Sequence, residues 1–413
     1  MKTVPAAEAL LVALETPAPN GAIGVPVLLW GKPGTGKSAF VQSLADAQFP
    51  VYVLIASIHD PTDFSGLPVY EAAGSVVRFA PPQWVERFEQ TGQGILFLDE
   101  LTTAPPSVQS ALLRVVLERH VGDRALPAGV RVLAAANPPE IAATGWDLSA
   151  PLANRFVHLE WDMPLSAYTD ALEQGFGIPE RKHIDRVAHA QSLTFWRLLL
   201  SAFLRRMPNL LYTEPAENEY AFATPRTWDF AVHLMASCDL LGLAPGPGRK
   251  GSAVFLHLMT GCVGQGAARA LIEHLSQLRL SDPLRLLSGE EEADIGALRE
   301  DEVYVLFASV GAALSQLYQQ YVQSSRRDGF KLSRAVEAYL RLCEQTAQAG
   351  KLDAAYISIR RVVLEGLFQS ALVAAHQHGQ AQELSARMKQ IFEHTDLADY
   401  VGALGLHVLR ETG

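Results

Sequence analysis

The stretch GKPGTGKS at residues 31–38 decides the fold, because it matches the pattern G-x-x-x-x-G-K-[ST] in full. It follows the apolar run VPVLLW (25–30) and opens a helical stretch, which is the context such a loop requires. Its glycines let backbone N–H groups surround phosphate oxygens, Lys37 reaches the outer phosphates, and the Ser38 hydroxyl is placed for Mg²⁺. The residues of this predicted nucleotide site are Gly31, Pro33, Gly34, Thr35, Gly36, Lys37, Ser38 and Ala39.

Around this loop, short apolar runs alternate with helical stretches from about residue 20 to residue 160. Because helical periodicity separates the runs, they predict buried strands of a largely parallel sheet. The runs are VPVLLW (25–30), VYVLI (51–55), GILFLD (94–99), VRVLAAA (130–136) and FVHLEW (156–161). Turn signals inside 66–82 and 120–132 predict two small β-hairpins inserted into this α/β core.

After Pro164 the sequence carries only helical periodicity, which predicts an all-α second half. Helices are expected at 180–206, 225–241, 251–262 and 267–279, and, after a loose connection at 281–301, at 302–323, 331–349, 351–378 and 380–393. The predicted domains are a nucleotide-binding core at 1–163, a helical lid at 164–281 and a helical C-terminal extension at 282–413.

Charge and composition exclude several classes of protein. The chain has 34 basic and 44 acidic residues among 413 and a net charge of −10, which disfavours general affinity for nucleic acid. Cys238, Cys262 and Cys343 are odd in number and far apart, so neither a disulfide framework nor a zinc site is indicated.

Glu8 and Glu15 interrupt the apolar N-terminal stretch, which predicts a short amphipathic helix. No stretch has the apolar length of a membrane span, and a cytoplasmic protein is expected.

Polar side chains follow two of the predicted strands. Asp99 ends one strand, where it can hold a metal-bound water, and the adjacent Glu100 can polarise an attacking water. Asn137 follows the next strand, where an amide can hold that water or sense the outer phosphate. Solvated acids at a strand end, and a plain Asn-Pro-Pro turn, are the ordinary alternatives. Together with the phosphate loop, these residues predict a hydrolytic Mg²⁺–ATP site.

Two arginines are candidates for contacts with the transferred phosphate. Arg155 ends PLANRF (151–156), and an arginine supplied by a neighbouring subunit would make hydrolysis depend on assembly. Arg226 in ATPRTW (223–228) stands at a predicted helix start. A salt bridge at a domain edge and an ordinary N-terminal helix residue are the alternatives.

Other catalytic patterns are absent from the sequence. It contains no H-E-x-x-H, no C-x-x-C and no G-x-S-x-G, so zinc hydrolysis and nucleophile-elbow chemistry have no support. His59, inside ASIHDPTDFSGLP, fits a structural histidine better than a catalytic one.

The motifs together resemble those of the MoxR-like AAA+ ATPases, in the helix-two-insert branch of the superfamily. The resemblance rests on GKPGTGKS, DPTDFSGLPV, GILFLDELTTAPPSVQSALLRVVLE, VRVLAAANPPE and WDLSAPLANRF, in that order between about 25 and 162. It is thinner at ATPRTW and at REDEVYVLFASVGAAL (299–314), and nothing matches beyond about 330.

The resemblance implies a three-layer αβα P-loop NTPase core with a helical lid, assembled into rings that are commonly hexamers, with ATP bound between neighbours. It implies that Asp99 and Glu100 are the metal partner and water activator, and that Asn137 is the first sensor. Arg155 is then the arginine finger and Arg226 the second sensor, which acts from either the same or the neighbouring subunit. The two hairpins correspond to insertions that face the ring's pore or a partner.

The resemblance also implies a chaperone-like motor that remodels a protein target with a von Willebrand factor A domain partner. This chain has no D-x-S-x-S motif, so that domain is expected on a separate polypeptide. A nucleotide-controlled assembly switch that recruits an effector, for example in bacterial defence, is the alternative function. Enhancer-binding activators are disfavoured because G-A-F-T-G-A is missing, and helicase-like relatives because no nucleic-acid domain is evident.

Overall fold

The structure is a computed structural model. It describes residues 5–71, 76–138, 141, 146–175, 177, 179–215, 219–245, 251–278, 281–323, 329–364, 366–376 and 381–394. The chain divides into two compact units, Met1–Trp196 with Met207–Ser276 and Arg197–Arg206 with Gln277–Gly413. The predicted domain limits stay predictions.

A five-stranded parallel sheet forms the centre of the first unit. The strands of the chain are β1 Val27–Trp30, β2 Val51–Ile55, β3 Leu67–Glu71, β4 Val76–Ala80, β5 Gln93–Asp99, β6 His120–Val121, β7 Arg124–Ala125, β8 Gly129–Ala136 and β9 Val157–Glu160. The sheet order is β2-β5-β8-β1-β9, and every neighbouring pair is parallel. The predicted parallel sheet is therefore confirmed, and the carboxyl ends of β1, β5 and β8 meet at one edge.

Helices follow most of these strands and make up the rest of the first unit. They are α1 Pro5–Glu15, α2 Lys37–Ser43, α3 Thr62–Ser65, α4 Gln83–Thr91, α5 Pro106–Glu118, α6 Ala150–Ala153, α7 Leu165–Gln174, α8 Arg186–Arg206, α9 Pro225–Leu240 and α10 Ala253–Gln277. Short 3₁₀ helices occupy 56–58, 101–103 and 208–210.

Burial explains why the strands were visible as uninterrupted apolar runs. Ile95 to Leu98 of β5 are all fully buried, because β5 is an interior strand of a parallel sheet. One face of the sheet packs on Val85 and Phe88 of α4 and on Leu112 of α5. Complete burial of each such side chain stabilises the fold by about 1.5–3 kcal/mol.

Both predicted hairpins exist, one of them shorter than expected. β3 and β4 pair antiparallel from Leu67 with Ala80 to Glu71 with Val76, and the predicted turn between them lies outside the described residues. β6 and β7 form a hairpin of two residues each. The predicted hairpin at 120–132 was too long, because Arg119 donates to the carbonyls of Pro127 and Val130 and the chain enters β8 at Gly129.

The second unit is helical. Its helices, besides residues 197–206 of α8, are α11 Pro283–Ser288, α12 Glu300–Gln323, α13 Gly329–Gln348, α14 Leu352–Leu364, α15 Leu367–His376 and α16 Ala381–His394. A core of its own includes the fully buried Phe307, Tyr339 and Phe368. The predicted helix at 351–378 is two helices, and the predicted loose connection at 281–301 contains α11.

The N-terminal helix differs from its expected amphipathic character. Eight of the 11 residues of α1 are buried, because the helix contacts α9, β9 and β1. Its two acids end in ion pairs, Glu8 with Lys182 at 3.2 Å and Glu15 with Arg131 at 2.6 Å. The helix is therefore part of the core of the first unit.

The predicted helices at 251–262 and 267–279 form one element, α10, with a break at Gly264 (φ 81°). We expect Gly261→Ala to destabilise the protein, because a Cβ at Gly261 would lie 2.1 Å from the carbonyl oxygen of His158 in β9. The loss should be about 1–3 kcal/mol of unfolding free energy, as for other overpacked sites.

The matched control lies in the same helix. No heavy atom lies within 4 Å of a Cβ added at Gly266, so Gly266→Ala should be neutral or stabilising by about 0.5–1 kcal/mol. Urea denaturation followed by circular dichroism compares the two variants. Equal unfolding midpoints would show that α10 does not pack on the edge of β9 in this way.

Candidate nucleotide site

The phosphate loop connects β1 to α2 and is shaped by its glycines. Gly34 (φ 78°) and Gly36 (φ 83°) adopt the left-handed conformation that other residues avoid. No heavy atom of the described residues lies within 4 Å of a Cβ added at Gly34, so the space beside Gly34 is open. A Cβ at Gly31 would lie 2.5 Å from the carbonyl oxygen of Trp161, so the start of the loop is tightly packed.

Lys37 is the first residue of α2, and its side chain is 8% exposed. Its Nζ donates to the carbonyl oxygens of Gly31 at 2.5 Å and Lys32 at 3.0 Å, and to Asn137 Oδ1 at 3.4 Å. Burial lowers the pKa of Lys37, and the nearby Asp99 carboxylate acts in the opposite direction. A partly desolvated cation is therefore held at the mouth of the loop by neutral acceptors, which suits it to a phosphate.

Ser38 and Asp99 stand together at the strand ends. Ser38 Oγ donates to Asp99 Oδ2 at 2.6 Å, and the backbone N–H of Glu100 donates to Asp99 Oδ1 at 3.0 Å. A hydroxyl and a carboxylate are the hard oxygen donors that Mg²⁺ selects, and Mg²⁺ takes its remaining ligands from water and phosphate. The side chains of Ser38 and Asp99 therefore fit that ion.

Glu100 adopts the left-handed conformation, with φ 55° and ψ 41°. A non-glycine residue held there stores strain, which is common at functional sites. Nothing in the sequence indicated this conformation, although the residue itself was predicted.

These groups line one cavity of about 360 Å³, within the range of small-molecule sites. Of the predicted nucleotide-binding residues, all but Gly31 line it. Asp99, Glu100 and Asn137 line it as well, together with Ala136. The structure thus brings together every predicted site residue except Gly31, Arg155 and Arg226.

A larger cavity, of about 890 Å³, shares Gly31, Lys32 and Thr35 with the loop. Its other charged residues are three acids, Glu160, Asp162 and Glu219. Three acids and one lysine give this cavity a charge that repels phosphate, so we expect phosphate in the smaller cavity in spite of its size.

Arg155 and Arg226 lie near each other and do not line the smaller cavity. Arg155 is half-buried in the turn between α6 and β9, and it donates to the carbonyl of Pro151. Burial lowers the pKa of Arg155, and the charge of Arg226 lowers it further, while Glu118 opposes them. Among the residues that the structure describes, neither arginine forms an ion pair with a carboxylate.

Two residues that were not predicted from the sequence hold Arg226 in place. Arg226 is exposed in the first turn of α9, and it donates to Asn154 Oδ1 at 3.2 Å. Thr224 caps that helix through a reciprocal capping box with Thr227 and donates to the same oxygen at 3.2 Å. The pair Thr224-Pro225 at the helix start is a recognisable N-cap signal in the sequence. Nothing in the sequence indicates that Asn154 forms a hydrogen bond with this cap.

The fold and the site together define a P-loop NTPase. Residues 26–156 match the family described as the AAA domain (dynein-related subfamily). The chain therefore has a three-layer αβα AAA+ core with inserted hairpins, followed by an all-α lid and a helical C-terminal extension. The family match supports ATPase activity at this level. No helix among the described residues is long and apolar enough to span a membrane.

The curated proteins that are similar to this chain include transcriptional activators and regulators. The chain is 36% identical over 140 residues to the Psp operon transcriptional activator of Escherichia coli K12, which covers 32% of this chain and 42% of that protein. It is 33% identical over 143 residues to the Sigma54-dependent transcriptional regulator SfnR of Pseudomonas fluorescens Pf0-1, covering 32% and 37%. The chain thus spans about two fifths of the length of these two relatives. Enhancer-binding activators were disfavoured on the missing G-A-F-T-G-A motif.

Among solved structures, a proposed ATPase from Cytophaga hutchinsonii is 19% identical, with a TM-score of 0.35 and coverage of 57% of this chain and 74% of that one. A similarity at this level carries no argument about function.

Proposed function

We propose that this chain is a MoxR-like ATPase that hydrolyses ATP between neighbouring copies in a ring, commonly of six, and uses the energy to remodel a protein target. One observation carries the proposal. The cavity with the phosphate loop and the acids has no arginine among its described lining residues. Arg155 and Arg226 lie together elsewhere, and neither has a carboxylate partner in the part of the chain that the structure describes. A second copy supplies what the first copy's cavity lacks.

Each residue of the cavity has a separate role in the proposed reaction. The loop and Lys37 bind the phosphates, and Ser38 and Asp99 would hold Mg²⁺, which when bound neutralises phosphate charge. Glu100 accepts a proton from the water that attacks the γ-phosphorus as the bond to the β-phosphate oxygen breaks, giving ADP and inorganic phosphate. Asn137 Oδ1 accepts a hydrogen bond from Lys37 Nζ, as the loop carbonyls do. The Asn137 side chain is therefore placed to respond when Lys37 turns to the γ-phosphate.

Both arginines act in trans in this proposal. The charge of Arg226 lies close enough to Arg155 to lower the pKa of Arg155. A phosphate bound by a neighbouring copy would relieve this repulsion between the two guanidinium groups, which the isolated chain retains. The exposed Arg226 is accessible to such a neighbour. A trans arginine also makes hydrolysis depend on assembly.

A partner protein is supported by the β3–β4 hairpin. Six of its large apolar side chains are exposed, on both of its faces: Leu67, Val69, Tyr70, Val76, Val77 and Phe79. A two-stranded hairpin with exposed apolar faces is marginal alone, and surfaces of this kind mark interaction sites. We assign this surface to protein contacts, with a separate von Willebrand factor A domain protein as the proposed partner.

The similarity to transcriptional activators is confined to about a third of the chain. The motif G-A-F-T-G-A, on which the activator class was disfavoured, occurs nowhere in the sequence, including the 66–82 hairpin. The remodelling proposal therefore stands ahead of transcriptional activation.

If ATP is hydrolysed between neighbouring copies, ATP turnover should rise as the copies assemble into oligomers. We expect phosphate release per subunit to increase with protein concentration, in step with the oligomer fraction measured by analytical ultracentrifugation. Glu100→Gln protein, prepared in parallel, corrects for contaminating ATPases. A rate per subunit that stays constant from monomer to oligomer would contradict hydrolysis between copies, and no release at any concentration would contradict the ATPase itself.

A further inference from the structure

Asn154 joins the two arginines of the proposed trans site. It directly precedes Arg155 in the chain, and its Oδ1 accepts from Arg226 at 3.2 Å and from the Thr224 hydroxyl at 3.2 Å. The side chain is 8% exposed. A single buried amide thus connects the turn before β9 to the first turn of α9.

The orientation of this amide is fixed by its partners. A guanidinium has donors only, so the amide oxygen and not the NH₂ group must face Arg226. The Asn154 Nδ2 is then buried and has no hydrogen-bond partner among the residues that the structure describes. A buried donor without a partner lowers the stability of the fold, so its presence here calls for an explanation other than stability.

The charges explain what the amide does. Arg155 and Arg226 repel each other, and the side chain of Asn154 is a neutral acceptor. It holds Arg226 beside Arg155 without neutralising either charge, so both guanidinium groups stay available for an incoming anion.

We propose that Asn154 is a positioning residue, which aligns Arg226 with Arg155 on the phosphate bound by the neighbouring copy. This inference rests on the proposed function. Asn154 acts through Arg226 and does not touch the nucleotide, since its own amide is buried. Misplacing a catalytic group by about 1 Å costs on the order of 10²-fold in rate, so a residue outside the nucleotide cavity sets the turnover of its neighbour.

Asn154→Ala should lower kcat roughly 10- to 100-fold and leave KM for ATP within about twofold, because the neighbour's phosphate loop still binds ATP. The unfolding temperature should change little, because the variant also removes the unsatisfied Nδ2. Asn154→Asp keeps both acceptor bonds but places a negative charge against Arg226 and Arg155, so its rate should stay low, because the role requires a neutral acceptor. The matched control is Asn209→Ala, at an exposed asparagine of the same unit, which should behave as wild type.

Two further measurements separate positioning from general damage. Asn154→Ala combined with Arg226→Ala should be no slower than Arg226→Ala alone, because the amide acts through that arginine. Asn154→Ala mixed with Glu100→Gln should recover part of the activity, because the second protein supplies intact arginines to the first.

Additive losses in the double variant, or no recovery on mixing, would overturn the role of Asn154 while wild-type turnover left the proposed function intact. No turnover by the wild type would instead overturn the proposed function. A wild-type rate for Asn154→Ala would overturn the inference alone.

Discussion

Arg155→Ala should lower ATP turnover about 10³-fold or more while ATP still binds, because an arginine that reaches the transferred phosphate from a neighbour contributes about 10³–10⁵ to the rate. Two features of the structure support the direction of this effect. The guanidinium has no carboxylate partner among the described residues, and its pKa is lowered by burial and by Arg226. Its charge is therefore available to a phosphate.

A mixing experiment makes this prediction specific to a trans site. Arg155→Ala has an intact Glu100, and Glu100→Gln has an intact Arg155, so neither protein alone should turn over ATP. In randomly mixed head-to-tail rings about a quarter of the interfaces combine both intact residues. We expect an equimolar mixture to reach about that fraction of the wild-type rate, measured as phosphate release.

The control is Arg285→Ala in the second unit, where an exposed arginine lies 3.9 Å from Glu290 and Glu291. Exposed pairs of this kind contribute about 0–1 kcal/mol, and the variant should keep wild-type turnover. If the Arg155→Ala mixture stayed inactive although mixed oligomers had formed, Arg155 would act within its own chain or not at all.

Most residues of the nucleotide site could be predicted from the sequence, because they are neighbours in the chain or lie at the ends of buried strands. The phosphate loop is one continuous segment, and Asp99 and Asn137 each follow an apolar run. Parallel strands bring such ends to one edge whatever the loops between them do. The three interior strands, β1, β5 and β8, were visible because interior strands of a parallel sheet are apolar on both faces.

The features that the sequence did not show depend on contacts between distant segments. α1 looked amphipathic because Glu8 and Glu15 stand among apolar residues, but their ion-pair partners are Lys182 and Arg131. The acids are therefore tolerated on a largely buried helix. Asn154 was missed for a similar reason, because its role exists only once α9 has folded against the turn before β9.

The second large effect is expected at Lys37. Lys37→Ala should lower ATP affinity by about 10- to 100-fold, since hydrogen bonds to charged groups contribute about 1.5–3 kcal/mol each, and turnover should fall to background. The nucleotide-free protein should keep its unfolding temperature, because burial disfavours the charged amine whose pKa it lowers. A loss of binding without a loss of stability distinguishes this role from a structural one.

The measurement is the shift of the unfolding temperature with Mg²⁺–ATP, made in the Glu100→Gln background so that ATP persists. A ligand at 100 times its Kd stabilises the folded state by about 2.7 kcal/mol, and Lys37→Ala should lose most of that shift. Lys32→Ala is the matched control, because Lys32 is exposed and offers only its backbone carbonyl to Lys37. A full ATP shift in Lys37→Ala would mean that the phosphates bind elsewhere, and the larger cavity beside the loop would then be the next site to test.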